Sequence, residues 1–234
     1  MARTPRSFTV RAGFASHKVW RGHKKEDNLG TAEQKETYLE FMNEDIESDK
    51  YEVGYVLEAL TLMDNHTHEL PLVSNPKLYS HHMRRHHARY GRYFNDVKNR
   101  CGKVAQDRPH TTLIADKDYR VRCTLYIHAN PHRGGISDPD RYEYSTHKLY
   151  AYGKRSAWMR NIKLPRWYLN LGKNPAERQR NYRRLFAKYL ALEGSTKQKF
   201  LRGLFFGPPQ WVMQNEDKVS AWRKERALAA AAPD

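Results

Sequence analysis

Hydrophobic and polar positions change period several times along the chain. Residues 7–14 (SFTVRAGF) alternate loosely, which predicts a strand. Residues 32–49 are heavily charged, with Tyr38, Phe41 and Met42 at helical spacing. YEVGYVLEALTLM (51–63), rich in Val, Leu and Tyr, predicts a buried strand. Asp64-Asn65 then supplies a turn, and HTHELPLV (66–73) a second strand.

From Asn75 to Phe94 the period lengthens. Tyr79, Met83, His86 or His87, Tyr90 and Phe94 recur at three- and four-residue steps, the stripe of an amphipathic helix. Arg84, Arg85, Arg89 and Arg92 occupy its other faces. A loop over 99–108 leads to PHTTLIA, a short strand candidate. A helix starting at Asp116 or Asp118 is expected to end before Pro131, because the residue preceding a proline is pushed out of the helical region. NPHRGG (130–135) reads as turn chemistry, and 138–193 as helical in pieces.

Asn174, Pro175 and Glu177 together predict an N-cap, a first-position proline and a capping-box acid. Tyr182, Leu185, Phe186, Tyr189 and Leu190 follow as an apolar stripe, with Arg180, Arg183, Arg184 and Lys188 off it. The terminal ALAAAAPD is low in complexity and expected to fray. This order of strands and helices predicts an α+β fold, a central antiparallel sheet with flanking helices. The division expected is a domain over 1–153 and a basic helical C-terminal extension over 154–234. No internal repeat is apparent.

Charge narrows the partners. The chain has 234 residues, 39% of them hydrophobic, with a mean hydropathy of −0.93. Lys+Arg 42 against Asp+Glu 26 leaves +16, and the pI is about 9.8. Such an excess recruits polyanions through a field that salt weakens. Nucleic acid, anionic lipid and an acidic protein all answer to it. Fifteen Tyr, eight Phe and five Trp lie among the basic residues and favour single-stranded nucleic acid, whose unpaired bases stack on aromatic faces. Most of those aromatics are nevertheless expected in the core. Cys101 and Cys123 are too few for a zinc or disulfide scaffold and suit a reducing interior. No apolar run approaches the roughly 20 residues that span a bilayer, and MARTPRSFTVRAGF lacks a signal-peptide stretch. A cytoplasmic, bacterial protein without membrane partners is expected, as a monomer or homodimer.

Candidate chemistry begins at His66-Thr67-His68. Strand residues two apart share a face, so two imidazoles about 7 Å apart along that face can converge on one divalent ion. Twelve histidines in 234 residues yield roughly 0.6 such pair by chance, so the spacing alone is not specific. The second feature is Tyr126 in CTLYIHANP, with Asn130 one helical turn on and on the same face. A phenol and an amide oxygen beside a two-histidine metal would make a nuclease site: the metal holds the scissile phosphate and the phenolate attacks phosphorus. A nearby cation must then favour ionisation of a group whose pKa is ordinarily about 10. The plainer readings are a core aromatic at Tyr126 and a turn residue at Asn130. Arg108, Arg120, Arg122 and Arg133 surround the tyrosine as candidate phosphate contacts. His81, His82, His86 and His87 read as part of a packing helix; His110, His128 and His132 lie near the tyrosine without an assigned role.

Several segments, taken together and in order, resemble the single-tyrosine HUH transposases, and among them the REP-associated tyrosine transposases. They are GYVLEALTLMDNHTHEL (54–70), LYSHHMRRHHARYGRYFN (78–95), GKVAQDRPHTTLIADKDY (102–119), YIHANPHRGGI (126–136), DPDRYEYSTHKLYAYG (138–153), NPAERQRNYRRLFAKYLALEG (174–194) and FLRGLFFGPPQW (200–211). The resemblance implies a ferredoxin- or RRM-like domain. It implies Mg²⁺ or Mn²⁺ bound by His66 and His68, with Asn130 as candidate third ligand and Tyr126, rather than Tyr119, as nucleophile. It also implies cleavage of one DNA strand beside palindromic hairpins, through a 5′-phosphotyrosine that is later rejoined without ATP. Histidine ligands suit Mn²⁺ better than the harder Mg²⁺.

Three positions depart from the family's usual wording. Thr67 stands where a large apolar residue is usual, Glu69 where an apolar one is, and Asp64 where proline is. Two alternatives stay open beside the transposase reading: a catalytically retired single-stranded nucleic-acid-binding protein on the same fold, and a histidine-metal phosphodiesterase that activates water and is indifferent to Tyr126.

Overall fold

In the computed structural model, which describes residues 3–49, 54–136, 138–193 and 203–231, a hairpin forms where the sequence pattern is strongest. β2 (Tyr55–Leu62) and β3 (His66–Val73) pair antiparallel around the Asp64-Asn65 turn, with a register shift between Leu57 and Ala59. The strand expected over 7–14 is not there. That segment is a helical turn (Arg6–Phe8) followed by turns, and the strand, β1, is Ser16–Arg21. β1 lies between β3 and β4 (His110–Ile114), antiparallel to both, and β5 (Phe205–Phe206) adds a short parallel edge. The order β2-β3-β1-β4-β5 leaves β3 and β1 inside the sheet.

The strands' alternation sends two layers of helix to opposite faces. α1 (Ala32–Asp49) and α2 (Pro76–Val97) follow the stripes read from the sequence, and Tyr38, Tyr79, Met83, Tyr90 and Phe94 are buried with Trp20 of β1. α3 (Lys117–Arg133) packs on the other face, where Cys123, Tyr126 and Ile127 meet Ala59 and Leu70. Arg120 of α3 pairs with the buried Glu58 of β2, beside the register shift. The fold is thus mixed α+β, with a mostly antiparallel central sheet, seven α-helices among the described residues and a helical C-terminal region.

α3 does not stop before Pro131. It runs one turn further, and Asn130 explains how: its amide Nδ2 donates to the carbonyls of Tyr126 at 2.8 Å and Ile127 at 3.4 Å. The second of these is the oxygen that the proline nitrogen has no proton to reach. The end is then closed by Gly135, at φ 90, with Ile136 N–H donating to Pro131 O at 3.0 Å and Gly135 N–H to His132 O at 3.1 Å. This is a Schellman cap, for which glycine in the left-handed region is the usual residue. At the other end Asp116 caps α3 by accepting from the N–H groups of Asp118 and Tyr119.

Downstream, α4 (His147–Tyr152), α5 (Arg166–Leu169) and α6 (Pro175–Glu193) cluster beside the sheet, and Met159, Ile162, Tyr168, Tyr182 and Phe186 join the core that holds Leu57 and Leu60. Asn174 Oδ1 caps α6 by accepting from Glu177 N–H at 2.9 Å, while the Glu177 carboxylate reaches back to Lys173 N–H at 2.6 Å. α7 (Pro209–Ala231) carries the alanine-rich tail as helix to Ala231, so the expected fraying does not begin at Ala227; alanine has the highest helix propensity of any residue. Residues 232–234, and 200–202 of the FLRGLFFGPPQW segment, lie outside the described residues. No described helix is long and apolar enough to cross a membrane.

The three unusual residues around the histidines have structural partners. Glu69 points to the α1–α2 face, where Lys18 Nζ meets its carboxylate at 2.7 Å and both side chains are fully buried. Tyr38 and Tyr55 donate to the same carboxylate at 3.0 and 3.1 Å, and Thr67 donates at 3.2 Å. Asp64 is held by Lys35 at 2.7 Å.

Candidate active site

His66 and His68 share the α3 face of β3, as their spacing predicts, with ring centres 4.9 Å apart and planes at 82°. Across the ladder, Arg21 sits opposite His66 and Val19 opposite His68. Strand neighbours in register share a face, so β1 brings His17, Val19 and Arg21 to the histidines' side and sends Lys18 and Trp20 to the other. Tyr126 of α3 lies over this patch, its ring centre 5.5 Å from that of His68 and 5.7 Å from that of His17. His66, His68, Tyr126, Asn130, Arg133, Arg21 and Arg108 all line one cleft of about 870 Å³.

Each histidine of the pair has one ring nitrogen engaged. His66 Nδ1–H donates to Asn65 Oδ1 at 2.7 Å, which places the lone pair on Nε2. His68 Nδ1 lies 2.9 Å from His17 Nε2, with the two rings stacked at 8°. With the proton of that pair on His68 Nδ1, His68 Nε2 likewise offers a lone pair. Burial disfavours the imidazolium in all three rings. It holds His66 down to about 4, with Arg21 adding to the effect, and His17 to about 3; His68 is held well below the ordinary histidine value by burial and by its histidine neighbours. At neutral pH the three are uncharged, the form that binds metal.

Neutral imidazoles with Nδ1 fixed by a neighbour are the usual arrangement of metal-ligating histidines. Asn130 is nearly buried, and its amide nitrogen is committed to the α3 carbonyls, so Oδ1 is its acceptor end. No group of three or more His, Cys, Asp or Glu among the described residues is placed to hold a metal ion. Two histidines and an amide oxygen therefore fit a divalent ion only if other oxygens complete the coordination, as substrate phosphate and water do for hard cations.

The phenol is buried, as the plainer reading of a core aromatic expected. Tyr126 is 3% exposed, and burial raises its pKa well above the ordinary value. Arg133, whose guanidinium lies 4.1 Å from the ring centre, and more weakly Arg21, work in the opposite direction without overcoming it. Ionisation at neutral pH thus needs more positive charge than these two arginines supply.

Of the four arginines read as phosphate contacts, Arg108 and Arg133 line the cleft and Arg120 and Arg122 do not. Arg120 is taken by Glu58, and Arg122 lies 5.3 Å from the ring centre of Tyr119, itself packed on Phe206. His110 lines the cleft, near Gly203 O at 3.2 Å. His128 is buried elsewhere, bridging Tyr182 and Thr146, and His132 is exposed at the end of α3. His86 and His87 belong to the α1–α2 layer, stacked among Tyr38 and Trp20. His17, Arg21 and Gln106 were not anticipated in the site. The alternation of SHKVWR is the signal that would have found the first two.

No protein-family model matches the chain, and a comparison with curated proteins finds no match. Among solved structures, the chain is similar to a REP-associated tyrosine transposase bound to a REP hairpin. The two are 18% identical, the likeness covers 67% of this chain and 89% of that one, and the TM-score is 0.48.

Proposed function

We propose that the protein is a metal-dependent single-stranded DNA endonuclease and strand-transferase that forms a 5′-phosphotyrosine through Tyr126, at sites marked by DNA hairpins. The observation that carries this reading is the convergence of His66, His68, Tyr126 and Asn130 on one basic cleft, with both histidines neutral and held through Nδ1. His66 Nε2, His68 Nε2 and Asn130 Oδ1 would hold a divalent ion, Mg²⁺ or Mn²⁺. Such an ion supplies Lewis-acid polarisation of the scissile phosphate and the positive charge that the buried phenol lacks.

The chain's own residues do the rest. Arg21, Arg108 and Arg133 draw the phosphodiester into the cleft. Tyr126 Oη forms a bond to phosphorus as the bond to the 3′ oxygen breaks. The phenolic proton is passed overall to that leaving oxygen, which departs as a 3′-OH, while the 5′ side remains esterified to Tyr126. Attack by a 3′-OH on the phosphotyrosine reverses the steps and rejoins DNA. The ester conserves the bond, so no nucleotide cofactor is consumed.

The burial of Tyr126 is the observation that favours the alternative, a nucleic-acid-binding protein that no longer cleaves. One experiment separates them. Labelled single-stranded DNA hairpins are incubated with Mn²⁺ and the wild-type or Tyr126→Phe protein, then run on a denaturing gel. A denaturant-resistant adduct on the wild type alone is expected. Binding without any adduct would move the assignment to the binding protein, and cleavage without an adduct to water-activating hydrolysis.

A further inference from the structure

Asn130 answers to two neighbours at once. One is Pro131, which continues α3 without an N–H of its own and leaves Ile127 O with no backbone donor. The other is the cleft, which Asn130 lines together with His66 and His68. The side chain has a donor end and an acceptor end, and each is committed to one of these neighbours.

Surroundings fix which end is which. The amide lies 2.8 Å from the carbonyl oxygen of Tyr126 and 3.4 Å from that of Ile127. Carbonyl oxygens only accept, so the atom between them is Nδ2. Oδ1 takes no hydrogen bond from any described residue, yet it is not sealed in the interior. On a residue that is 6% exposed, Oδ1 is the atom left for the cleft.

The turn beyond Pro131 depends on that nitrogen. It carries Arg133, whose guanidinium lies 4.1 Å from the ring centre of Tyr126 and whose Nη1 donates to Tyr126 O at 3.5 Å. Gly134 follows, and both residues line the cleft. Tyr126 O therefore receives Asn130 and Arg133 together.

A carboxylate at position 130 would be the stronger oxygen ligand for a hard cation. Pro131 excludes it. An ionised carboxylate accepts only. It would leave Ile127 O without a donor and set a negative charge against two carbonyl oxygens.

We propose that Asn130 is a positioning residue as well as a metal ligand. One amide ties an ion held through Oδ1 to the last turn of α3 held through Nδ2, and so fixes Arg133 and the backbone of Tyr126 relative to that ion. The assignment rests on the metal-dependent reading of the cleft. It makes residues 130 and 131 a matched pair, in which the amide is needed because the next residue lacks an N–H.

The test is a double-mutant cycle of wild type, Asn130→Asp, Pro131→Ala and the variant carrying both. Pro131→Ala supplies the backbone N–H that reaches Ile127 O in an ordinary helix. Three quantities are measured: the urea midpoint without metal, Mn²⁺ affinity by calorimetric titration, and the rate of adduct formation on a single-stranded DNA hairpin at saturating Mn²⁺. Asn130→Asp is expected to lower the midpoint by roughly 0.5–1 M and to bind Mn²⁺ at least as tightly as the wild type. Its adduct should form roughly 10- to 100-fold more slowly, because the reacting groups are misplaced although the ion is bound. In the Pro131→Ala background the same substitution should lower the midpoint by less than half as much and leave most of the rate.

An equal loss of stability in both backgrounds, failure to fold in both included, would overturn the exchange of Nδ2 for the proline's missing donor. Folding of Asn130→Asp only when Pro131→Ala accompanies it would support that exchange. A rate that falls only as far as Mn²⁺ affinity falls would make Asn130 a ligand and nothing more. Wild-type stability and rate in Asn130→Asp would overturn the proposal outright. Adduct formation by the wild type reports on the reading of the cleft by itself, so the role of the amide can fail while that reading stands. A wild type that binds no Mn²⁺, or binds it and forms no adduct, overturns the tie between ion and nucleophile together with that reading.

Discussion

β1 and β3 supply buried ionisable groups to both faces of the sheet, and the two faces treat them differently. Towards α1 and α2, Lys18 and Glu69 close on each other at 2.7 Å, and hydroxyls from Tyr38, Tyr55 and Thr67 complete the carboxylate's shell. Nothing of that cluster is exposed. Towards α3, His66 and His68 are each fixed through Nδ1 only, and both line a cleft that Tyr126 and three arginines share. The first arrangement satisfies its charges internally and can only hold the fold. The second is complete on one side and open on the other, which is the condition for binding something that is not protein.

The contrast can be broken most forcefully at Glu69. Glu69→Ala leaves the Lys18 ammonium buried without its partner and is expected to cost about 3–5 kcal/mol of stability. Replacing both, with Lys18→Met and Glu69→Leu, should recover most of that loss. Urea unfolding of the three proteins checks it, and a fully stable Glu69→Ala would show that the sealed face is not sealed.

On the open face, His66→Ala and His68→Ala should leave a folded protein but lower metal-dependent cleavage by at least about 100-fold, beyond the ten- to hundred-fold usual for residues that only orient a ligand. Undiminished cleavage by both would remove the metal from the account. His17→Ala tests whether the buried ring behind His68 orients it. A fall of roughly ten- to hundred-fold in Mn²⁺ affinity, read by calorimetric titration, is expected. Unchanged affinity would reduce His17 to packing.

The same contrast bears on pH dependence. A histidine whose pKa is lowered by folding takes up its proton more readily unfolded, so stability is complete above the unfolded value near 6.5 and falls as the pH drops. The window runs from 6.5 to about 4 for His66 and to about 3 for His17. The loss is on the order of 1.4 kcal/mol per pH unit for each such histidine. Asp45, held at about 2 despite its burial by His86, Arg89 and Arg85, adds its own loss only below the ordinary carboxylate range. Stability that is flat from pH 7 to 4 would contradict the buried, neutral state of the rings.

α1 and α2 were legible in the sequence because each buries one face and exposes another, which is what periodicity reports; the hairpin and β4, buried on both faces, were legible as short apolar runs bounded by turn residues. β1 was not, since an interior strand that carries Lys18 for an ion pair on one side and Arg21 for a cleft on the other hides its alternation behind charge. The loose alternation at 7–14 drew the strand to the wrong place. Missing β1 also concealed His17 and Arg21. The helix past Pro131 was illegible for a different reason: it depends on the Asn130 side chain replacing a backbone donor, a tertiary detail of one residue. His66, His68, Tyr126 and Asn130 could be named from spacing and resemblance, but only the packing of α3 across β3 brings them to one cleft. Arg120 was drawn away by Glu58 at the register shift in β2, which no pattern of residue types announces.

The central claim is that Tyr126 is the residue that takes the DNA. Trypsin cuts after Arg122 and Arg133, so Tyr126 falls in the peptide Cys123–Arg133 and Tyr119 in Asp118–Arg120. Mass mapping of the covalent complex formed with Mn²⁺ and a single-stranded hairpin should place the nucleotide remnant on Cys123–Arg133, at Tyr126. A remnant on Asp118–Arg120, on any other peptide, or on none while the DNA is nevertheless cut, would contradict the account.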